Sequence, residues 1–398
     1  MKKFLMVLFM LCTIGSTAAR PAVHCSPARM AMGGAGSAVV NKEDSYFYNP
    51  AHAVKIKHSL TLPPFIIFPN SIYYGAETPG ALRKLNEGEE KESAVEAYRR
   101  IIPTALGLGG NWSSGIVFDA EEIGALAIGA YAGGQLDSKV LNRLSPRFEA
   151  SGYFDLVFPS LTWADEVDLA NYVANPEDFF LRNLQIGFTL KKINRYALYN
   201  AEDGGETLEV EAIDLLDEDS PSGLNVRAGS GVGLDIGVLG EAETFLGATK
   251  IGIVAHNLFT RLNGISYDNI NSEKLQEEYP YTQQIPLTMT AGLAVQASPF
   301  KQGWLAFLHY ILPDAVYAAD WDIIHPDNSL YKRLHFGLEQ NYGLCGWRMG
   351  LNQGYPTLGF NFNLGWYRAG LVYYTEELGD EVGRQPQSYY VLHSSFVF

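Results

Sequence analysis

The chain has 398 residues, 47% of them hydrophobic and 13% aromatic, with a formal net charge of −15. That acidic balance excludes a nucleic-acid binder, which needs basic patches to meet phosphate. No apolar run of 18 residues follows the first 19, which excludes a transmembrane helix and leaves strands as the means of crossing a bilayer.

In chain order, Met1-Lys2-Lys3, the apolar run Phe4 to Ile14 and the small residues Gly15 to Ala19 read as a secretory signal peptide over 1–19. Cleavage after Ala19 leaves 379 residues and, with Lys2 and Lys3 gone, a net charge of −17. Neither Cys12 nor Cys25 stands in a lipoprotein cleavage context, so no lipid anchor is expected. A small-residue block follows, Met30 to Val40, with Gly33, Gly34 and Gly36, and then the polar turn Asn41 to Tyr48 and Asn49-Pro50-Ala51. Glycines there permit close backbone approach and positive φ. Pro50 restricts Asn49 to extended or turn conformations, and the Asn49 side chain can bond nearby backbone. Such a segment is either a compact plug or a Gly-rich loop into the first strand.

Period-2 alternation then repeats down the chain. Ile186, Phe188 and Leu190 alternate with Gln185, Gly187, Thr189 and Lys191. Val232, Leu234, Ile236 and Val238 alternate with Gly231, Gly233, Asp235 and Gly237; Leu287 to Val295 and Leu358 to Leu364 behave alike. One face is large and apolar, the other small or polar. A barrel with lipid outside and a partly filled lumen has this asymmetry, whereas a soluble sandwich shows Lys and Glu on its second face. Aromatic residues near strand ends, Trp347, Trp366, Tyr373 and Tyr374 among them, are expected in interfacial girdles. Fifteen segments qualify: 58–68, 102–111, 113–120, 123–134, 149–162, 184–198, 229–240, 248–261, 286–298, 303–320, 332–341, 344–352, 356–365, 366–376 and 387–398. Bacterial barrels close on an even number, so one early segment is surplus and 14 strands are expected. Stretches 79–100, 199–228 and 264–285 read as long charged loops, and 164–183 as a short helix. Parity turns Cys345 outward, so it is expected to stay unpaired with Cys25.

The chain ends with Tyr390, Leu392, Phe396 and Phe398 on one face. A terminal aromatic strand of this kind is what the barrel-assembly machinery recognises.

The block Met32 to Ala51 resembles the opening of the FadL-type outer-membrane hydrophobic-compound transporters and their PorV-like relatives. Fainter likeness runs through Gly233-Leu234-Asp235-Ile236-Gly237, Asn257-Leu258, Ile285-Pro286 and His335-Phe336-Gly337-Leu338-Glu339. The resemblance implies a hatch over residues 20–54, gated around Gly33, Gly34, Gly36, Asn49, Pro50 and Ala51, and an all-β, 14-strand transmembrane barrel over 55–398. It implies passive uptake of a hydrophobic molecule, long-chain fatty acid first, across the outer membrane among its lipids. The PorV-like alternative docks another protein and transports nothing.

Parity turns Lys191, Asp235, Lys250, His256, Glu339 and Arg348 into the lumen. Buried charges need partners, so these pair with one another, pair with the hatch, or hold a ligand carboxylate. The acidic run Asp214 to Asp219 reads as a solvated loop. Gly229-Ser230-Gly231-Val232-Gly233 lacks the spacing and following helix of a nucleotide loop. No hydrolase elbow, zincin motif or paired-cysteine motif occurs, and the eight histidines, His309 and His393 included, are scattered. No catalytic residue, metal or cofactor is expected.

Overall fold

The computed structural model describes residues 26–41, 44–56, 58–62, 65–69, 104–120, 123–141, 147–168, 181–200, 207–211, 225–244, 247–268, 276–297, 315–325, 329–377, 382–383 and 386–398. The signal-peptide reading, Cys25, loop 79–100 and the acidic run 214–219 lie outside them.

Among the described residues the strands are β1 (Ser59–Leu62), β2 (Phe65–Pro69), β3 (Thr104–Ala120), β4 (Gly124–Leu141), β5 (Arg147–Val167), β6 (Asn183–Leu198), β7 (Thr207–Glu211), β8 (Val226–Thr244) and β9 (Gly247–Asp268). They continue as β10 (Glu277–Gln284), β11 (Thr288–Ala297), β12 (Ala315–Ile324), β13 (Leu334–Asn341), β14 (Cys345–Asn352), β15 (Tyr355–Asn363), β16 (Tyr367–Glu377) and β17 (Pro386–Val397). All pair antiparallel in one sheet, and β17 closes it on β1 and β2. Two wall positions are split. β1 and β2 both lie between β17 and β3. β10 and β11 both pair with β9, broken around Pro286. β7 prolongs the sheet beside β5 beyond the end of β6. The wall therefore has 14 strands, with β7 extra.

The alternation points as expected. Leu190 is 52% exposed on the lipid side while its neighbour Lys191 is 1% exposed inside. Val232, Phe336, Leu358, Phe360, Leu371 and Leu392 join the outer face; Gly187, Thr189, Gly237, Thr290 and Gly292 join the inner one. The outer apolar face is what lipid requires, and the closed sheet leaves no unpaired edge within it.

Four expectations need correction. Segments 102–111 and 113–120 are one strand, β3, paired without a break to β4; the Gly109-Gly110-Asn111 run weakened the pattern without ending the strand. Stretch 264–285 is largely wall: β9 continues to Asp268 and β10 answers it, and its polar sequence reflects exposure on both faces. Thr207–Glu211 is strand within the supposed loop 199–228. Ala164–Val167 belongs to β5 rather than to a helix, while 169–180 and 303–314 lie outside the described residues.

A girdle of aromatics does form at the short-turn end, where Trp163 stacks on Phe188 at 5.8 Å and Trp366 on Phe396 at 5.9 Å. Tyr374 instead faces inward and packs with Tyr389, Met30 and Ala31. Cys345 is exposed, as parity required, while its expected lack of pairing with Cys25 falls outside the described residues.

Candidate functional site

The inner face of the wall carries the N-terminal segment. It opens with a short helix, Pro27–Ala31, capped by Ser26. Two 3₁₀ turns, Ser45–Phe47 and Pro50–His52, lead to a last helical turn, Ala53–Ile56, just before β1. The boundary drawn at residue 54 thus falls inside that turn.

Backbone passes against backbone here, and the small residues are the reason. Gly33 has φ +65, and a Cβ on it would come 2.5 Å from Phe336 O and 2.6 Å from Leu351 N. Both the conformation and the space exclude any side chain. Gly34 also has positive φ. Gly36 does not; it is small because the Arg29 side chain crosses it, continuing over the Tyr48 ring. The wall supplies matching glycines. A Cβ on Gly237 would strike Asn49 Oδ1, and one on Gly187 the Pro50 backbone. Gly252 and Gly292 meet Ser37, and Gly337 meets Met32. The small inward face of the strands is thus a cradle for this segment.

Side chains of both the segment and the wall fasten it, with Tyr46, Phe47 and Ile56 buried against Val117, Ala127 and Tyr131. Asn49 is extended (φ −140, ψ 110), as Pro50 demands; its Oδ1 accepts from Ala51 N at 3.1 Å. Its Nδ2 donates to Ser37 O at 2.9 Å and to Val238 O in the wall at 3.1 Å. Ala51 is fully buried. His52 is buried with Nδ1 3.1 Å from Ser45 O and Nε2 3.0 Å from Ser37 O. Burial, with Lys250 nearby, lowers its pKa to about 3, so the ring is neutral and donates to one carbonyl. Opposite, the Asp320 carboxylate accepts from Gly36 N and Ser37 N, both at 2.9 Å. His335 Nδ1 lies 2.9 Å from Gly33 O, while its Nε2 lies 3.2 Å from Asp322 Oδ2. Thr357 donates to Ala31 O at 3.0 Å.

The six charged positions chosen by parity all face inward, in three groups. Lys191 Nζ stands 2.8 Å from Asp235 Oδ2, which also lies 3.2 Å from His256 Nδ1, though off the hydrogen-bond line. Glu339 and Arg348, directly opposite in the β13–β14 ladder, pair at 2.8 Å. Lys250 is apart from both, 3.8 Å from Glu241, which binds Lys55 of the N-terminal segment at 3.0 Å. Pairing within the protein accounts for these charges, as burial requires. Sequence reasoning missed the buried Arg195–Asp155 pair, bonded twice at 2.7 Å, and it missed Asp320, Asp322 and His335. Parity along β12 would have placed Asp320 and Asp322 together inside; ending that strand at residue 320 hid the second. His393 also faces inward, its Nε2 beside Gly370.

No protein-family model matches the chain, and no curated protein matches it in sequence. Among solved structures it is similar to the toluene transporter TbuX of Ralstonia pickettii, with TM-score 0.51, 13% identity, and coverage of 94% of this chain and 97% of that one. It is also similar to the monoaromatic hydrocarbon channel CymD (TM-score 0.48, 14% identity, 95% and 98% covered). A FadL homologue of Pseudomonas aeruginosa follows (TM-score 0.42, 11% identity, 96% and 98% covered). At such identities the likeness is one of architecture. The chain is an outer-membrane β-barrel that shares the 14-strand fold of the toluene transporter TbuX.

Proposed function

We propose that this barrel is a passive channel for hydrophobic molecules, with long-chain fatty acid as its leading cargo and the N-terminal segment as its hatch. One observation carries the reading. The N-terminal segment lies against the inner face of the wall, with Tyr46, Phe47 and Ile56 buried against Val117, Ala127 and Tyr131, small-residue contacts elsewhere, and side-chain bonds involving Asp320, His335, Thr357, Asn49 and Lys55. A plug seated that way can shift without unfolding the wall. The gating group is Gly33, Gly34, Gly36, Asn49, Pro50 and Ala51, and the route is capture at the loops, displacement of the hatch and exit through the wall. That TbuX carries toluene, by its name, supports an apolar cargo. Export through the 1–19 signal peptide and insertion by the assembly machinery at the strand ending Phe398 complete the reading. No chemical step or energy source is involved.

The test is uptake of labelled oleate by cells with and without the gene. Faster uptake with the gene is expected, and equal uptake ends the fatty-acid assignment. Native mass spectrometry of gently extracted protein separates the PorV-like alternative. A ligand-free barrel with a stoichiometric protein partner would identify a docking protein.

A further inference from the structure

The Lys191–Asp235–His256 group sits at an irregular stretch of β9. Leu234 of β8 pairs with Leu258, yet Ile236 pairs with Ala255, so His256 and Asn257 have no counterparts on that side. On the other side β10 ends at Gln284 opposite Arg261, and β11 begins at Thr288 opposite His256. The ladder is interrupted on both flanks of residues 257–260. Asn257 and Phe259 hold φ of 62° and 55°. Asparagine tolerates that region; a bulky aromatic rarely does. Bulges of this kind re-aim side chains, and backbone outliers gather at functional sites. Here Phe259 is turned outward, 78% exposed, while Asn257 and Thr260 are buried inside.

Asn257 N donates to Asp235 Oδ1 at 2.8 Å, so the same carboxylate that binds Lys191 holds the bulge. The Asn257 side chain is 1% exposed, and neither Nδ2 nor Oδ1 hydrogen-bonds to the protein. Thr288 Oγ1, on the residue paired with His256, is likewise without a partner. A buried amide left unbonded is destabilising and calls for an explanation.

We propose that the Asn257 amide binds the neutral polar head of an amphipathic ligand, a head that both donates and accepts a hydrogen bond: an alcohol, or a carboxylic acid in its protonated form. This rests on the channel reading above and narrows its cargo. The amide offers one donating and one accepting edge, which a carboxylic acid matches with two parallel hydrogen bonds. An ionised carboxylate is disfavoured, because Lys191 is closed on Asp235 and a second anion beside Asp235 would be repelled in a poorly screened interior. Beside the bulge, Ile285 N donates to Thr260 O at 3.1 Å, and Ile285 belongs with Ile193 and Leu262 to one buried apolar cluster that makes the surroundings of the head apolar. The interrupted ladder lets this part of the wall yield locally.

The experiment measures dissociation constants of 1-decanol, decanoic acid and decane for the purified full-length barrel by equilibrium dialysis. It compares wild type with Asn257→Gly, which deletes the amide and accepts the same φ, and retention of the folded barrel is checked by heat-modifiable electrophoretic mobility. Decanol is expected to bind about tenfold tighter than decane, with the advantage lost in Asn257→Gly. Decanoic acid should match decanol below a pH of about 4 and weaken above it, while decanol stays flat. Asn257→Asp, which keeps the shape, should weaken decanol too. Equal binding of decane and decanol, or a folded Asn257→Gly with unchanged preference, overturns the head-group site and leaves the hydrophobic channel standing. Tighter decanoate binding as pH rises also overturns it. Failure of all three probes to bind removes the channel reading as well.

Discussion

At the scale of single residues, two groups govern how firmly the N-terminal segment is seated. Asp320 gives two hydrogen bonds' worth of acceptor to consecutive backbone amides, a charge-assisted arrangement. Asp320→Ala should loosen the segment by about 2–3 kcal/mol while the wall persists. Faster amide hydrogen exchange at Gly36 and Ser37, with unchanged strand circular dichroism, is the expected readout; unchanged exchange would show that the carboxylate holds nothing. His52 sets a pH dependence. Its pKa is depressed to about 3 by burial, whereas an unfolded imidazole titrates near 6.5. The stability that its neutral form allows is therefore complete above about 6.5 and is lost as pH falls from there toward 3. Protease protection of the segment should drop across that window in wild type and drop less in His52→Gln. A wild-type profile with no slope would contradict the assignment.

At the scale of elements, the pairing of wall glycines with the N-terminal segment is the design to probe. A Cβ on Gly187 would collide with the Pro50 backbone, and one on Gly237 with Asn49. Gly187→Val and Gly237→Val should displace the turn Pro50–His52 and raise single-channel conductance without disturbing the outer face. Gly354, where an added Cβ meets nothing but φ is +87, should cost only local turn strain and leave conductance unchanged. If all three conduct alike, the glycine face is not a cradle. These contacts were legible in part. The strands around Gly187, Gly237 and Gly292 showed a small inward face, but only the folded chain brings Ser37 and Asn49 against them. The split at Pro286 is local chemistry and could be read as a weak point. That β1 with β2, and β10 with β11, each fill one wall position depends on pairing with distant strands.

At the scale of the molecule, the wall is uneven. β9 has 22 residues and β13 has 8, and at about 3.3 Å per residue these reach roughly 70 and 26 Å along the strand. An outer-membrane apolar band is about 25 Å tall and barrel strands tilt by about 35–45°, so β13 rises only about 20 Å and falls just short of it, while the upper part of β9 with β10 stands clear. Placing a cation at Leu190, on the lipid face, should cost about 2–4 kcal/mol, whereas Tyr279→Arg on β10 should be nearly neutral. Urea titration of the two variants in vesicles checks this; equal losses would mean that β10 lies within the band.

Alternation of side chains, the apolar outward face, the inward parity of Lys191, Asp235, Lys250, His256, Glu339 and Arg348, and the terminal aromatic strand are properties of residues two apart, so the sequence by itself determined them. Which charge meets which was beyond it. Lys191 finds Asp235 and Arg348 finds Glu339 across neighbouring strands, while Lys250 turns to Glu241, which also binds Lys55. The union of two predicted segments into β3, the strand identity of Glu277–Gln284 and the seat of Gly33 between Phe336 and Leu351 were decided by the closed sheet alone. Hydrogen-bond partners and space come from chain hundreds of residues away, and a period-2 pattern carries no record of them.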